Sequence, residues 1–484
     1  MIKTEYKLYL VFGFLLAIAF GFRFYKSHDH LPIGCDEFGY LQLANKFRGE
    51  IPDANLISDL VVQLEKEGFE YLSYAWMITP HAHHIHPETG NKINQYQPGT
   101  SLILSLISKR GSQYLFPVLI VLFGVLLLVI LREKISGTDF EKVVFTVIVF
   151  FVFGFFSSPF VSEYSQINSL GFTFIPLITA GMLFKKHPFY SLVFLMFCVN
   201  FRIVNVILLL PILIGGGLLT PFKVKHYIRL VIVGVLILLP LLIHNFWQTG
   251  NPFALTYSSA DTSWVNYDGF VKNAKFYFSL RSGWFKANLI AVVLVFIFGW
   301  LKKIEKKEVV IAISLFSINY TFFVIHNVQM NYYPYASSLF NLGLISGILL
   351  KPIIDFKYKL HFLLTCSIVC LIVGLVRYME YDRKDREESL TFLLNELKSS
   401  DVVWSNMYSG TTEYVNNNLG MRYYAGSSES RKFVVRSLHK MNKKQVFIIE
   451  DLLFSKELLI SELKSLKLNF KEEKKGPWNL IKIE

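Results

Sequence analysis

Apolar residues along this chain fall in blocks of about 17–22 positions separated by short polar loops, not in the narrow stripes of surface helices. A block of that length crosses the roughly 30 Å hydrocarbon core of a bilayer as a helix. Scored over roughly 19-residue windows, the blocks predict about eleven spans, near 8–25, 114–131, 142–158, 167–184, 188–200, 202–218, 228–247, 286–301, 309–325, 334–350 and 360–377. The fold class expected from this pattern is an all-α polytopic membrane protein.

Basic residues mark alternate loops. Lys3 and Lys7, Arg132 and Lys134, Lys185 and Lys186, and Lys302 and Lys303 fall on one side, whereas 159–166 and 327–335 carry no Lys or Arg. The positive-inside rule then predicts a cytoplasmic N-terminus, and an odd number of spans puts residues 378–484 outside. The expected organisation is a transmembrane module over 1–377, with outer loops at 26–113 and 248–285, followed by a small extracytoplasmic α/β domain over 378–484. In the first outer loop, 36–48 and 59–76 have helical spacing, and 98–109 is apolar but too short to span, so all three are expected to lie on the membrane surface. In the tail, helix-like 387–398 and 455–466 alternate with strand-like 402–404, 446–450 and 478–483.

Composition agrees with this picture. Hydrophobic residues make up 53% and charged residues 18%, against roughly 25% charge in an ordinary soluble domain, which argues against disorder and against a cytosolic enzyme. The formal charge of +13 invites a nucleic-acid reading, but the basic residues sit in short loops rather than on one face, so nucleic acid is not an expected partner. Cys35, Cys198, Cys366 and Cys370 provide no disulfide framework. The first apolar block ends in Phe22-Arg23-Phe24-Tyr25-Lys26 without a small-residue cleavage site, and is read as a retained span.

Candidate chemistry gathers on the predicted outer side. Asp36 and Glu37 follow the first span. In a low-dielectric setting, neighbouring carboxylates acquire different proton affinities, which leaves one as a general base. Asp36 is equally a helix N-cap. His81, His83, His84 and His86 are four imidazoles in six residues; they can share a metal, contact substrate or line a polar loop, and their spacing matches no known zinc signature. Asn94 to Ser101, with Tyr96 and Gln97, leads through a Pro-Gly turn into a short apolar helix. Glu163 and Tyr164, Arg202, and His244 and Asn245 stand at the outer ends of spans. Arg202 faces protein, an anion or the interface by snorkelling. The second outer loop, with Tyr257 and Arg281, combines aromatics with a cation suited to phosphate.

These stretches resemble the GT-C membrane glycosyltransferases, among them the protein O-mannosyltransferases and aminoarabinose-lipid transferases. The acid pair Asp36-Glu37 resembles their motif after the first span. Asn94-Gln95-Tyr96-Gln97-Pro98-Gly99-Thr100-Ser101 is similar to their Tyr-Pro-Pro-Gly-Thr segment. Ser157-Ser158-Pro159 with Glu163-Tyr164, Asn200-Phe201-Arg202, and Gly250-Asn251-Pro252-Phe253 resemble further motifs in the family's order, over roughly residues 1–350. Departures occur: Ile203 follows Arg202 where Pro is usual, Gln97 replaces a Pro, and Gln329 to Tyr333 replaces an Arg-Tyr pair.

The resemblance implies inverting transfer from a polyprenyl-phosphate-linked sugar to a lipid, glycan or protein acceptor at the outer face of the cytoplasmic membrane. It implies Asp36 as base and Glu37 as its support. Arg202 and Arg281 are expected at the donor phosphate, and His84, His86, Tyr96, Gln97, Glu163, Tyr164, Tyr257 and Tyr333 around the substrates. No cofactor is expected, a divalent metal included. The alternative is a multi-span lipid or solute transporter, which calls for midspan charges that are nearly absent here. A non-catalytic anchor with a partner-binding tail needs far fewer spans.

Overall fold

The computed structural model describes residues 35–49, 55–107, 169–184, 187–209, 224–254, 256, 269–279, 283–325, 384–449 and 456–484, with 338, 340–341, 343–345 and 348 besides. The first described helix, α1 (Cys35–Phe47), opens with Asp36 and Glu37 and closes with Lys46, so its charges complement the helix dipole. In α2 (Asn55–Lys66), Ile57, Leu60, Val61 and Leu64 recur at helical spacing and are buried, while Asp59, Val62 and Glu65 stay exposed. A short antiparallel hairpin follows, β1 (His83–Ile85) on β2 (Lys92–Asn94), and then α3 (Pro98–Ser105), with Pro98 in its first turn. Arg48, just past α1, donates to the carbonyls of Leu104 and Ile107 at 3.0 and 3.1 Å, which ties the end of α3 to α1.

The apolar middle of the chain forms α4 (Ser169–Phe184), α5 (Pro188–Val199), α6 (Val224–Thr249), α7 (Phe270–Tyr277), α8 (Gly283–Trp300) and α9 (Lys306–Ile325). Two of these, α6 from Lys225 and α9, are long and apolar enough to cross a membrane. Only 17% of the most apolar window of α6 is buried, so Val231, Val235, Leu236 and Ile243 face outward, as lipid-facing side chains do.

The C-terminal part carries α10 (Lys384–Glu396), β3 (Val402–Trp404), α11 (Ser409–Asn416), β4 (Leu419–Met421), α12 (Ser428–Lys440), β5 (Gln445–Ile448), α13 (Lys456–Ser465), β6 (Phe470–Lys475) and β7 (Trp478–Ile483). The strands form one mixed sheet in the order β4-β3-β5-β7-β6; β3 runs parallel to β4 and β5, and β7 antiparallel to β5 and β6. Alternation sorts the side chains. Val402, Trp404, Phe447 and Ile481 form one core with α2, α12 and α13, and Val403, Val446, Ile448 and Leu480 form another with α10. The first core therefore joins residues 57–85 to the sheet.

The expected all-α class of about eleven spans is corrected. Among the described residues two helices reach spanning length, and a five-stranded mixed sheet makes the protein α/β. The physical reason lies in where helices break, which a window average does not register. The block at 188–200 yields a 12-residue helix, about 18 Å long. The block at 202–218 begins with extended Arg202 and a 3₁₀ turn over Ile203–Leu208. The blocks at 8–25, 114–131, 142–158 and 360–377 lie outside the described residues.

Candidate functional site

Tyr96 is the hub. It lies in the loop between β2 and α3 and is 3% exposed; its hydroxyl donates to Asp36 Oδ1 at 2.5 Å. The ring reaches α1 because Gly39 stands there: a Cβ at that position would lie 2.4 Å from the Tyr96 ring and 2.6 Å from the Ala82 Cβ. Ala82 itself takes a left-handed φ of 68°, the kind of backbone strain that surrounding packing must hold in place. The Tyr96 backbone N–H donates to Asn94 Oδ1 at 2.9 Å, and its carbonyl lies 3.2 Å from His244 Nε2 of α6. The Asn94 N–H donates to Gln248 Oε1 at 2.7 Å, so the hairpin is seated on the last turns of α6.

Four of the motif stretches meet here. The N–H of Gly99 donates to the carbonyl of Asn200 at 2.8 Å, and a Cβ at Gly99 would lie 2.7 Å from that oxygen. Asn200 in turn donates through Nδ2 to the carbonyl of Ile237 in α6 at 2.8 Å. Asn245 donates to the carbonyl of Pro252 at 3.2 Å, and Thr256 to the carbonyl of Gln95 at 3.0 Å. The stretches around Asp36, Tyr96, Asn200 and Pro252 are thus linked by hydrogen bonds.

The other expected site residues are distributed as follows. Glu37 is buried beside Asp36 at 3% exposure. Gln97 is buried immediately before α3, and Arg202 is buried where α5 gives way to the 3₁₀ turn. Glu163, Tyr164, Tyr257, Arg281 and Tyr333 lie outside the described residues.

The histidines separate. His83 Nδ1 lies 3.0 Å from the carbonyl of His81, and its Nε2 lies 3.2 Å from Asn94 Nδ2. His84 stacks on Trp76, with ring centroids 4.9 Å apart, and the Arg422 guanidinium lies over the other ring of that pair at 5.2 Å. Burial, with Arg422 nearby, lowers the His81 pKa to about 4; burial, His86 and Arg422 do the same for His84. His83 is pushed well below its ordinary value, first by burial and then by Lys92. The pKa of His86, half-buried, is lowered by burial against the pull of Glu88. Among the described residues no three His, Cys, Asp or Glu side chains stand where they could hold a metal ion.

Beside this hub lies a cleft of about 660 Å³, within the range of ligand sites, bounded by α1, the hairpin, the end of α6 and the loops around α11. Its floor is a clamp: Glu413 of α11 accepts from Lys92 at 2.6 Å, from Gln42 of α1 and from the N–H of Gly420 at 3.2 Å. Lys46 reaches in over the Trp247 ring, 4.3 Å from its centroid. Asp36 and Tyr96 do not line this cleft. Sequence reasoning missed Lys46, Lys92, Trp247, Glu413 and Asn418; the run Asn416-Asn417-Asn418 before β4 was the one local signal of a polar pocket. No family model matches the chain, and no curated protein matches it in sequence.

Proposed function

We propose that this chain is an inverting glycosyltransferase that takes a sugar from a polyprenyl-phosphate carrier and passes it to an acceptor hydroxyl or phosphate. It works at the outer face of the cytoplasmic membrane, which α6 and α9 cross. The observation that carries this reading is the convergence of the Asp36, Tyr96, Asn200 and Pro252 stretches along the second half of α6. Those stretches are the ones that resemble the lipid-carrier-dependent glycosyltransferases, and α6 has the length and outward apolar face of a membrane helix. A polar site at the mouth of such a helix is where a lipid-borne headgroup surfaces.

In this mechanism the acceptor oxygen attacks the anomeric carbon from the side opposite the carrier. Asp36, held by the Tyr96 hydroxyl, takes the acceptor proton. The anomeric C–O bond breaks with its electron pair going to the polyprenyl phosphate, whose charge Arg202 and Arg281 stabilise. Glu37 keeps the first turn of α1 acidic and supports Asp36. The acceptor is a lipid, a glycan or a protein.

The test is transfer from the carrier-linked sugar in membranes holding the Asp36→Asn variant. Transfer should fall by at least about 10²-fold while the protein remains inserted and folded. Undiminished transfer in that variant would falsify the role of Asp36.

A further inference from the structure

We infer that the cleft floored by the Lys92–Glu413 clamp binds a sugar ring that carries an anionic group, either a carboxylate or a phosphate. The inference deepens the glycosyltransferase reading, and rests on it for treating this ring as part of a substrate. Its evidence is separate.

Asn418 lines the cleft, is 5% exposed, and finds no hydrogen-bond partner at Oδ1 or Nδ2 among the described residues. Gln42, 7% exposed, spends its Nε2 on Glu413 and leaves Oε1 without a partner. Asn416 donates to the carbonyl of Leu394 at 2.8 Å and leaves Oδ1 without one. Buried amide atoms without partners are costly, so this lining is built for a ligand that supplies them. Three acceptors and one amide donor in one cleft call for groups that both donate and accept, as ring hydroxyls do.

Cations line the same cleft. Lys46 has no carboxylate partner among the described residues, and it stands close enough to Lys92 for the two charges to repel. Burial, followed by Lys92, lowers its pKa, which is the state an incoming anion relieves. Lys443 adds a third cation to the lining, against the carboxylates Asp401 and Glu413, and Glu413 is already engaged. His83 lines the same cleft as a neutral ring. The surplus is positive, and the hydroxyl-reading amides adjoin it.

The experiment is calorimetric titration of the full chain in detergent with glucose, glucuronate, glucose 1-phosphate and inorganic phosphate. At least one anionic sugar should bind about tenfold or more tighter than glucose, and tighter than phosphate alone. Preference for glucuronate identifies a carboxylated residue, as in an acidic acceptor glycan; preference for glucose 1-phosphate identifies a phosphorylated one, as in the donor headgroup. Lys46→Gln and Asn418→Ala should each weaken that binding about tenfold at unchanged melting temperature. Equal binding of glucose and the charged sugars overturns the inference. So does phosphate binding as tightly as glucose 1-phosphate, and so do folded variants that retain full affinity. Asp36→Asn lies outside the cleft and separates the two ideas. Selective binding with transfer surviving in that variant removes the transferase and keeps the cleft; unselective binding with transfer abolished does the reverse.

Discussion

The Tyr96 hydroxyl is bonded to Asp36 Oδ1 across 60 positions of sequence, and Gly39 leaves the space on α1 that the ring occupies. On the proposed mechanism, removing the hydroxyl in Tyr96→Phe should lower transfer about 10-fold, less than Asp36→Asn, because Asp36 remains but is no longer held. Gly39→Ala should displace the ring altogether and cost about 1–3 kcal/mol of stability by overpacking. Parallel measurement of transfer and urea midpoints on the two variants checks both. A Gly39→Ala protein as stable and active as the wild type would refute the packing account.

Stability should fall on acidification. His81 and His84 titrate at about 4 in the folded protein, against about 6.5 in an unfolded chain, and burial holds His83 well below its ordinary value too. Between those limits the unfolded state binds more protons, so stability is full above pH 6.5 and is lost as pH drops toward 4. The slope is roughly 1.4 kcal/mol per pH unit for each histidine. Denaturant midpoints at pH 7 and pH 5 measure it, and His84→Asn should make the dependence shallower. A flat profile over that range would rule out neutral buried histidines.

Arg431 and Glu462 tie α12 to α13 through two hydrogen bonds of 2.7 and 2.6 Å, with both side chains at 6% exposure or less. Arg431→Ala leaves a buried carboxylate uncompensated and should cost about 3–5 kcal/mol. Replacing both with apolar residues, as in Arg431→Met with Glu462→Leu, should recover much of that loss. Chemical denaturation of the three proteins decides it; equal losses in the single and double variants would show that the charge is not the cause.

The outward face of α6 predicts membrane dependence. Lys at Val235 and Leu236, 55% and 64% exposed, should raise the insertion free energy by about 2.5–3.5 kcal/mol each and shift the chain out of the membrane fraction. Carbonate extraction followed by fractionation reads this directly. Retention of the doubly substituted chain in the bilayer would mean that α6 does not face lipid.

Local signals in the sequence were legible and distant ones were not. The apolar spacing of 36–48 matches α1, and the tail segments at 387–398, 402–404, 446–450, 455–466 and 478–483 match α10, β3, β5, α13 and β7 closely. Ser409–Asn416 carries no helical signature because Ser, Gly and Thr are weak helix formers; packing makes it a helix, with Phe38 against Gly410. β6 reads Phe-Lys-Glu-Glu-Lys-Lys, an edge strand whose charges conceal its period. Asp36 and Tyr96 were each picked out from sequence, yet nothing local joins them. Lys92 and Glu413, 321 positions apart, carry no pattern at all.

That last separation bears on how the protein comes into being. One wall of the cleft leaves the ribosome early, with Lys46 and Lys92, and the other only after Glu413, Asn418 and Lys443 have been translated. A nascent chain halted before that point holds the histidine hairpin and α6 without a floor beneath them. The pocket is therefore completed only late in synthesis, and a product terminated before Glu413 lacks one side of it.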